Sequence, residues 1–322
     1  MKEKIKCIGE NCNLEDTRFN ILFHQLECEQ VTVDLKIDIP LYTKLVSFFI
    51  GVGKYSKDSE LSNLISPPKD VKELKRTLER IGFDQSEQNC LLNEEATKEG
   101  IEEFFLKMEK TMLGETEEEK KFNSESMLVF FFSGHGVEDS KNRHQICPHD
   151  YSENRGIEMG ELIHKLSKIN CKHVLIILDC CHSGAILNYS YAKEYRQEFS
   201  QYERKGSSSS EFLILENSMQ KSIWALTSSD STEKSLGSKI EENSVSVFTN
   251  ALLSAFDPKN KHFLFQNSNL SQVTDLFNSV TRSMHFGETQ NPHIARLGSL
   301  NDSSKMYFYF KSFYYFQLSS LL

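Results

Sequence analysis

An α/β fold, with a mostly parallel central sheet covered by helices on both faces, is what this sequence predicts, and three observations carry the expectation. Short continuous apolar runs such as "MLVFFF" (127–132) and "HVLIIL" (173–178) have the length of strands buried on both faces. Segments whose apolar residues recur at helical spacing lie between such runs, so strands and helices alternate along the chain. The 322 residues, 39% hydrophobic, are enough for one large domain with a small appendage.

Residues 1–44 read as an N-terminal extension. Within it "VTVDLKIDI" sets Val31, Val33, Leu35, Ile37 and Ile39 against Thr32, Asp34, Lys36 and Asp38, the period of a half-buried strand, ended by Pro40. That strand extends the sheet or contacts a partner. The main domain is expected over 45–316. It opens with "KLVSFFIGVGKY", a buried strand entering a glycine turn; Gly51 and Gly53 complete no phosphate-binding fingerprint. The breaker "SPPKD" precedes "VKELKRTLERIGF", where Val71, Leu74, Leu78 and Ile81 mark a helix closed by Gly82. "QNCLLN" then reads as a strand, "KEGIEEFFLKMEKTML" as a helix and the acidic "GETEEEKKFNSE" as a solvated loop. "MLVFFF" ends in "SGHG"; Leu162, Ile163, Leu166 and Ile169 mark the next helix; "HVLIIL" ends in "DCCHSG". Residues 188–211, polar and containing four consecutive serines, are expected to form a long exposed loop. "KSIWALTSS" follows as a strand, "VFTNALLSAF" and "LSQVTDLFNSVTRSM" as helices, "KMYFYF" as a final strand and 317–322 as a tail that packs.

Composition narrows the function classes. No apolar stretch approaches the roughly 18–20 residues of a membrane span, and the charged start "MKEKIKCIGENCNLED" lacks a secretory signal, so a soluble, cytoplasmic protein is expected. Eight scattered cysteines then read as mostly reduced thiols. A net charge of −9 argues against nucleic acid or an anionic membrane as partner and suits a cationic substrate better.

The chemistry gathers where two apolar strands end, because loops converge beyond the carboxyl ends of strands in open parallel sheets. His135 of "SGHG" and Cys181 of "DCCHSG" lie at such ends, joined by one helical crossover, so they can meet as base and nucleophile. Gly136 and Cys181 can offer backbone N–H groups to an oxyanion. Cys180 is read as structural and facing away, and His182 as structural despite its place beside the nucleophile. A zinc site of Cys180, Cys181, His182 and His135 is the alternative, disfavoured because consecutive residues make poor ligands for one tetrahedral ion. Asp179, a carboxylate at the strand end, either caps the loop or awaits a cationic substrate side chain.

"SGHG" followed 46 residues after its histidine by the cysteine of "DCCHSG" resembles the caspase-like cysteine peptidases, and the form Asp-x-Cys-His-Ser-Gly resembles their metacaspase branch. "FFIGVGKY", "KRTLERIGF", "CPHDY", "WALTSSDSTEKS", "SVFTNALLSAF" and "NPHIARLG" fall in the same order as in that family, over about residues 44–312. The resemblance implies the caspase-haemoglobinase fold and a cysteine endopeptidase with Cys181 as nucleophile and His135 as acid and base. It implies a pocket lined by Asp179 and Ser133 that takes Arg or Lys before the cut bond. It also implies self-processing in the loop after the nucleophile, with Arg196, Arg204 and Lys205 as candidate sites. Metacaspases frequently bind calcium; Asp150 matches its first ligand, but Met159, Gly160 and Asn188 stand where carboxylates are expected, so no metal or other cofactor is predicted. The competing expectations are a catalytically silent binding protein of the same fold, or a relative cutting after Asp or Asn. Oligomeric state is left open.

Overall fold

The computed structural model describes residues 4–6, 15–17, 42–84, 86–188, 222–229, 245–260, 263–264, 270–284, 291–298 and 307–309. The chain divides into two compact units, 1–43 and 44–322. In the first, β1 (Lys4–Lys6) pairs antiparallel with β2 (Glu15–Thr17), Ile5 opposite Asp16. The alternating stretch 31–39, most of the 188–211 loop with Arg196, Arg204 and Lys205, and the tail 317–322 lie outside the described residues.

The second unit begins with β3 (Leu45–Gly51), buried along nearly its whole length. Helix α1 (Pro67–Arg80) starts four residues earlier than its apolar spacing indicates. The "breaker" prolines are its first two residues, positions where no intrahelical N–H is needed and where a fixed φ already suits the helix. Asp70 thereby becomes a first-turn residue, and it is buried. Gly82, at φ +105°, ends the helix in the region glycine occupies without strain. β4 (Cys90–Leu92) and α2 (Lys98–Leu113) follow, the latter capped by the Thr97 hydroxyl, which accepts the Gly100 N–H.

The acidic stretch expected as a loop is instead helix α3 (Glu117–Ser124). Thr116 accepts the Glu119 N–H while the Glu119 carboxylate accepts the Thr116 N–H, a capping box that satisfies both orphan donors, and three glutamates suit the positive end of the dipole. After β5 (Met127–Ser133) comes a small antiparallel sheet, β6 (Gly136–Glu138), β7 (His144–Ile146) and β8 (Ile157–Glu158), whose short polar strands carry no periodic signal. Then come α4 (Met159–Lys168), β9 (His173–Asp179), β10 (Ser222–Thr227) and α5 (Val247–Ala255). The segment expected as one helix from Leu270 splits into strand β11 (Leu270–Gln272) and helix α6 (Val273–Ser283). β12 (His293–Gly298) is a further strand, and β13 (Tyr307–Tyr309) pairs with β11 outside the main sheet.

The main sheet runs β12-β10-β9-β5-β3-β4, parallel except for the antiparallel edge strand β12. Side chains alternate faces along each strand. Val46, Phe48, Ile50, Leu128, Phe130, Phe132, Val174 and Ile176 join Ile101, Phe104 and Met108 of α2 and Leu162 and Leu166 of α4 in one core. Phe49 and Phe131 point the other way and meet edge-to-face on strands that pack against α1. Helices on both faces leave the carboxyl ends of β3, β5 and β9 as the sheet edge from which loops depart.

Candidate active site

Two loops leave the sheet side by side. In the β5–β9 register Ser133 is paired with Asp179, and the Gly134 N–H donates to the Asp179 carbonyl. His135 and Cys181 each lie two residues past that last pair, so the ladder itself brings their backbones together at adjacent strand ends.

His135 is held from two directions. Its N–H donates to the Tyr55 hydroxyl at 2.8 Å, with the two rings 5.0 Å apart, and its Nε2 lies 2.8 Å from the Ser62 carbonyl oxygen. A carbonyl accepts only, so Nε2 carries the proton and Nδ1 is the basic nitrogen. Partial burial lowers the imidazole pKa from its usual value, the Ser62 hydrogen bond opposing it, and a neutral, proton-accepting ring is favoured at neutral pH.

The two adjacent cysteines differ in environment. Cys180 is fully buried in the core and burial pushes its thiol pKa well up, whereas Cys181 is half-buried. The following turn is braced by hydroxyls that sequence reasoning did not single out: Ser228 and Ser229 both donate to the Cys180 carbonyl, and Ser183 bonds to Ser229. His182 adopts φ +57°, in the left-handed region that few non-glycine residues occupy and that histidine enters more often than most.

Gly136 sits against this loop so closely that a Cβ there would lie 2.1 Å from the Cys181 carbonyl oxygen. The β6–β7 ladder has Cys147 donating to the His135 carbonyl, which makes Gly136 and Ile146 a non-hydrogen-bonded pair. In such a pair the N–H points away from the partner strand, so the ladder leaves the Gly136 N–H for other use.

A second carboxylate stands beside Asp179 and was not found from sequence. Asp70, at the start of α1, accepts from the Ser133 hydroxyl at 2.8 Å and from the Ser246 N–H at 2.7 Å. Asp179 accepts from the hydroxyls of Ser246 and Thr249 at the start of α5. All five residues are buried. Burial, and then the charge of Asp179, raise the Asp70 carboxyl to about 8. The sole sequence signal for Asp70 is its place behind two prolines; nothing local ties it to Cys181, more than 100 residues away.

Asp150 lies elsewhere. One of its oxygens accepts the Lys98 N–H at 2.9 Å, capping α2, and the other pairs with Arg155, which also pairs with Glu99. Met159, buried, opens α4. Asp150 thus serves as a helix cap and an ion-pair partner of Arg155, and Met159 brings no oxygen of the kind calcium takes.

Over residues 45–302 the chain matches the family described as the caspase domain. Among solved structures it is similar to protein GSU0716 from Geobacter sulfurreducens, at 18% identity and a TM-score of 0.52, with 81% of this chain and 96% of that chain covered. That likeness is one of fold. No curated protein matches significantly.

Proposed function

The chain belongs to the caspase-domain family, whose members are as a rule cysteine peptidases, and from that premise we propose a metacaspase-type endopeptidase that cuts after Arg or Lys. The reading rests chiefly on the strand-end register that sets His135, oriented by the Ser62 carbonyl, beside the Cys181 loop. In the proposed reaction the Cys181 proton passes to His135 Nδ1 and the thiolate attacks the carbonyl carbon. The carbonyl electrons move to oxygen, where the N–H groups of Gly136 and Cys181 receive them. Collapse breaks the C–N bond as His135 protonates the leaving amine. Water, deprotonated by His135, then splits the thioester and restores the thiol.

Asp70 and Asp179 support the choice of a basic side chain, with Ser133 between strand and helix as their shared neighbour. The two buried carboxylates repel each other, and a substrate guanidinium or ammonium entering beside them would favour the ionised form of Asp70 and offset that repulsion. A peptide panel with Arg, Lys, Asp or Asn before the scissile bond tests the reading, run with wild type, Cys181→Ala and Asp179→Asn, with calcium and with chelator. Cleavage after Arg and Lys by wild type alone is the expected result. Cleavage after Asp or Asn that survives Asp179→Asn overturns the specificity, and no turnover by any form returns the chain to the silent, binding-protein reading.

A further inference from the structure

Among the described residues, one set of metal-ligating side chains lies outside this machinery. Glu138 of β6, His144 of β7 and His182 of the nucleophile loop present one ligand atom each, all within 4.8 Å of one another. The fold prepares two of the three. Glu138 and His144 are directly opposed across the β6–β7 ladder, and since Asp139 donates to the Arg143 carbonyl they form a non-hydrogen-bonded pair, the kind that brings side chains closest. The turn between them is locked: the buried Asp139 carboxylate accepts from the Lys141 and Arg143 N–H groups and from the Arg143 side chain, which also reaches Glu158. His182 arrives from the other loop, its ring centroid 6.1 Å from that of His144, carried there by the left-handed backbone at φ +57°. The Nδ1 of His144 is buried with no hydrogen-bond partner among the described residues, an orphan polar atom of the sort that a bound ion accounts for.

We propose that Glu138, His144 and His182 form a binding site for a zinc-class divalent cation, and that its occupancy slows turnover by holding the nucleophile loop. Two imidazoles and one carboxylate are the ligand set of three-ligand zinc sites and leave a fourth position for water. Calcium and magnesium, which take oxygen ligands, are excluded by the two imidazoles. Tetrahedral zinc with bonds of about 2.0–2.1 Å sets its donors about 3.3 Å apart, a contraction that takes rotation of the exposed Glu138 side chain together with closing of the two partly buried imidazoles onto the ion. The set shares only His182 with the Cys180, Cys181, His182, His135 grouping and avoids consecutive ligands. A cation fixed to His182 ties the residue after Cys181 to the rigid β6–β7 turn; this regulatory half rests on the peptidase reading, and the site itself does not.

The test uses the full chain carrying Cys181→Ala, so that no thiolate at the nucleophile position captures metal. Chelator-stripped protein is titrated with cobalt(II), followed by its absorption, and with zinc against a chromophoric indicator. The same titrations on Glu138→Gln and His144→Ala in that background cancel the contribution of the other cysteines. One equivalent of tetrahedral cobalt that weakens roughly tenfold or more in both variants is expected. Absence of that equivalent, or binding unchanged by both substitutions, overturns the site. Glu138 is exposed, so Glu138→Gln stays informative if His144→Ala folds poorly. In the Cys181 protein, zinc should inhibit peptide hydrolysis and Glu138→Gln should relieve it, leaving metal-free turnover unchanged. Binding without inhibition keeps the site and overturns its regulatory role. A wild type inactive on every peptide defeats the peptidase reading while the cobalt titration still decides the site.

Discussion

Gly136 is the residue whose side chain, or lack of one, most directly sets the proposed chemistry. Alanine there would place a methyl group 2.1 Å from a backbone oxygen that has no flexible end to move away, so either β6 or the Cys181 loop must shift. A displacement of about 1 Å at a reacting centre can cost about 100-fold, and Gly136→Ala should lower kcat by that order while far-ultraviolet circular dichroism stays native. A variant with full kcat would show that the loop tolerates the shift and would remove Gly136 from the oxyanion role. Asp70 makes a different prediction, because its carboxyl holds a proton up to about pH 8. An arginine side chain favours the ionised form and lowers that value, so forming the complex near neutrality releases a proton. KM for basic peptides should therefore fall as pH rises from about 6 to about 8, by up to about tenfold per unit, and Asp70→Asn should flatten the dependence. Calorimetry of a basic peptide with Cys181→Ala, in two buffers of different ionisation enthalpy, counts the proton; a count of zero at pH 7 sinks this mechanism.

Among the elements, α3 shows how a local signal can be outweighed by composition. Its run of glutamates and lysines has little apolar periodicity, yet Thr116 and Glu119 form a reciprocal cap, and Thr116→Ala should cost about 1 kcal/mol in urea denaturation. A change below a few tenths would mean the helix stands on its contacts with α2 alone. The strands β3, β5, β9 and β10 were legible because burial on both faces demands unbroken apolar runs, and α1, α2, α4 and α5 because their buried stripes repeat at helical spacing. β12 was not legible: it is an edge strand carrying His293 and Arg296, with no alternation for its one-sided pairing to impose. The site divides in the same way. His135, Cys181, Asp179 and Ser133 lie on contiguous motifs at the ends of readable strands. Asp70, Ser62, Tyr55, Ser246 and Thr249 reach them from other elements through single hydrogen bonds, and long-range side-chain contacts leave no period in a sequence.

At the scale of the whole molecule two buried groups pull stability in opposite directions with pH. His173, at the start of β9, is buried, and burial followed by the nearby Lys172 charge pushes its imidazole down to about 3, against about 6.5 in the unfolded chain. Between those values the unfolded state binds the extra proton, so stability falls as pH falls, by about 1.4 kcal/mol per unit. Asp70 has the reverse sign: its folded value of about 8 lies above the unfolded value of about 3.9, the folded state binds the extra proton between them, and stability falls as pH rises through that window. From about pH 4 to 6.5 the two slopes cancel; above that only the Asp70 slope remains, and below it only that of His173. Urea denaturation from pH 4 to 8 resolves them by difference. Asp70→Asn should become more stable relative to wild type as pH climbs to about 8, and His173→Asn should gain relative to wild type as pH drops below about 6.5, whatever packing each substitution loses at a fixed pH. Parallel curves for either variant would mean that the group is not held in the stated form. The Asp70 slope also links stability to the proposed function, since the proton that the folded chain retains without substrate is the one a basic side chain expels. A bound basic peptide should therefore raise the melting temperature of Cys181→Ala more at pH 8 than at pH 6, through the same carboxyl that makes the empty site costly as pH rises.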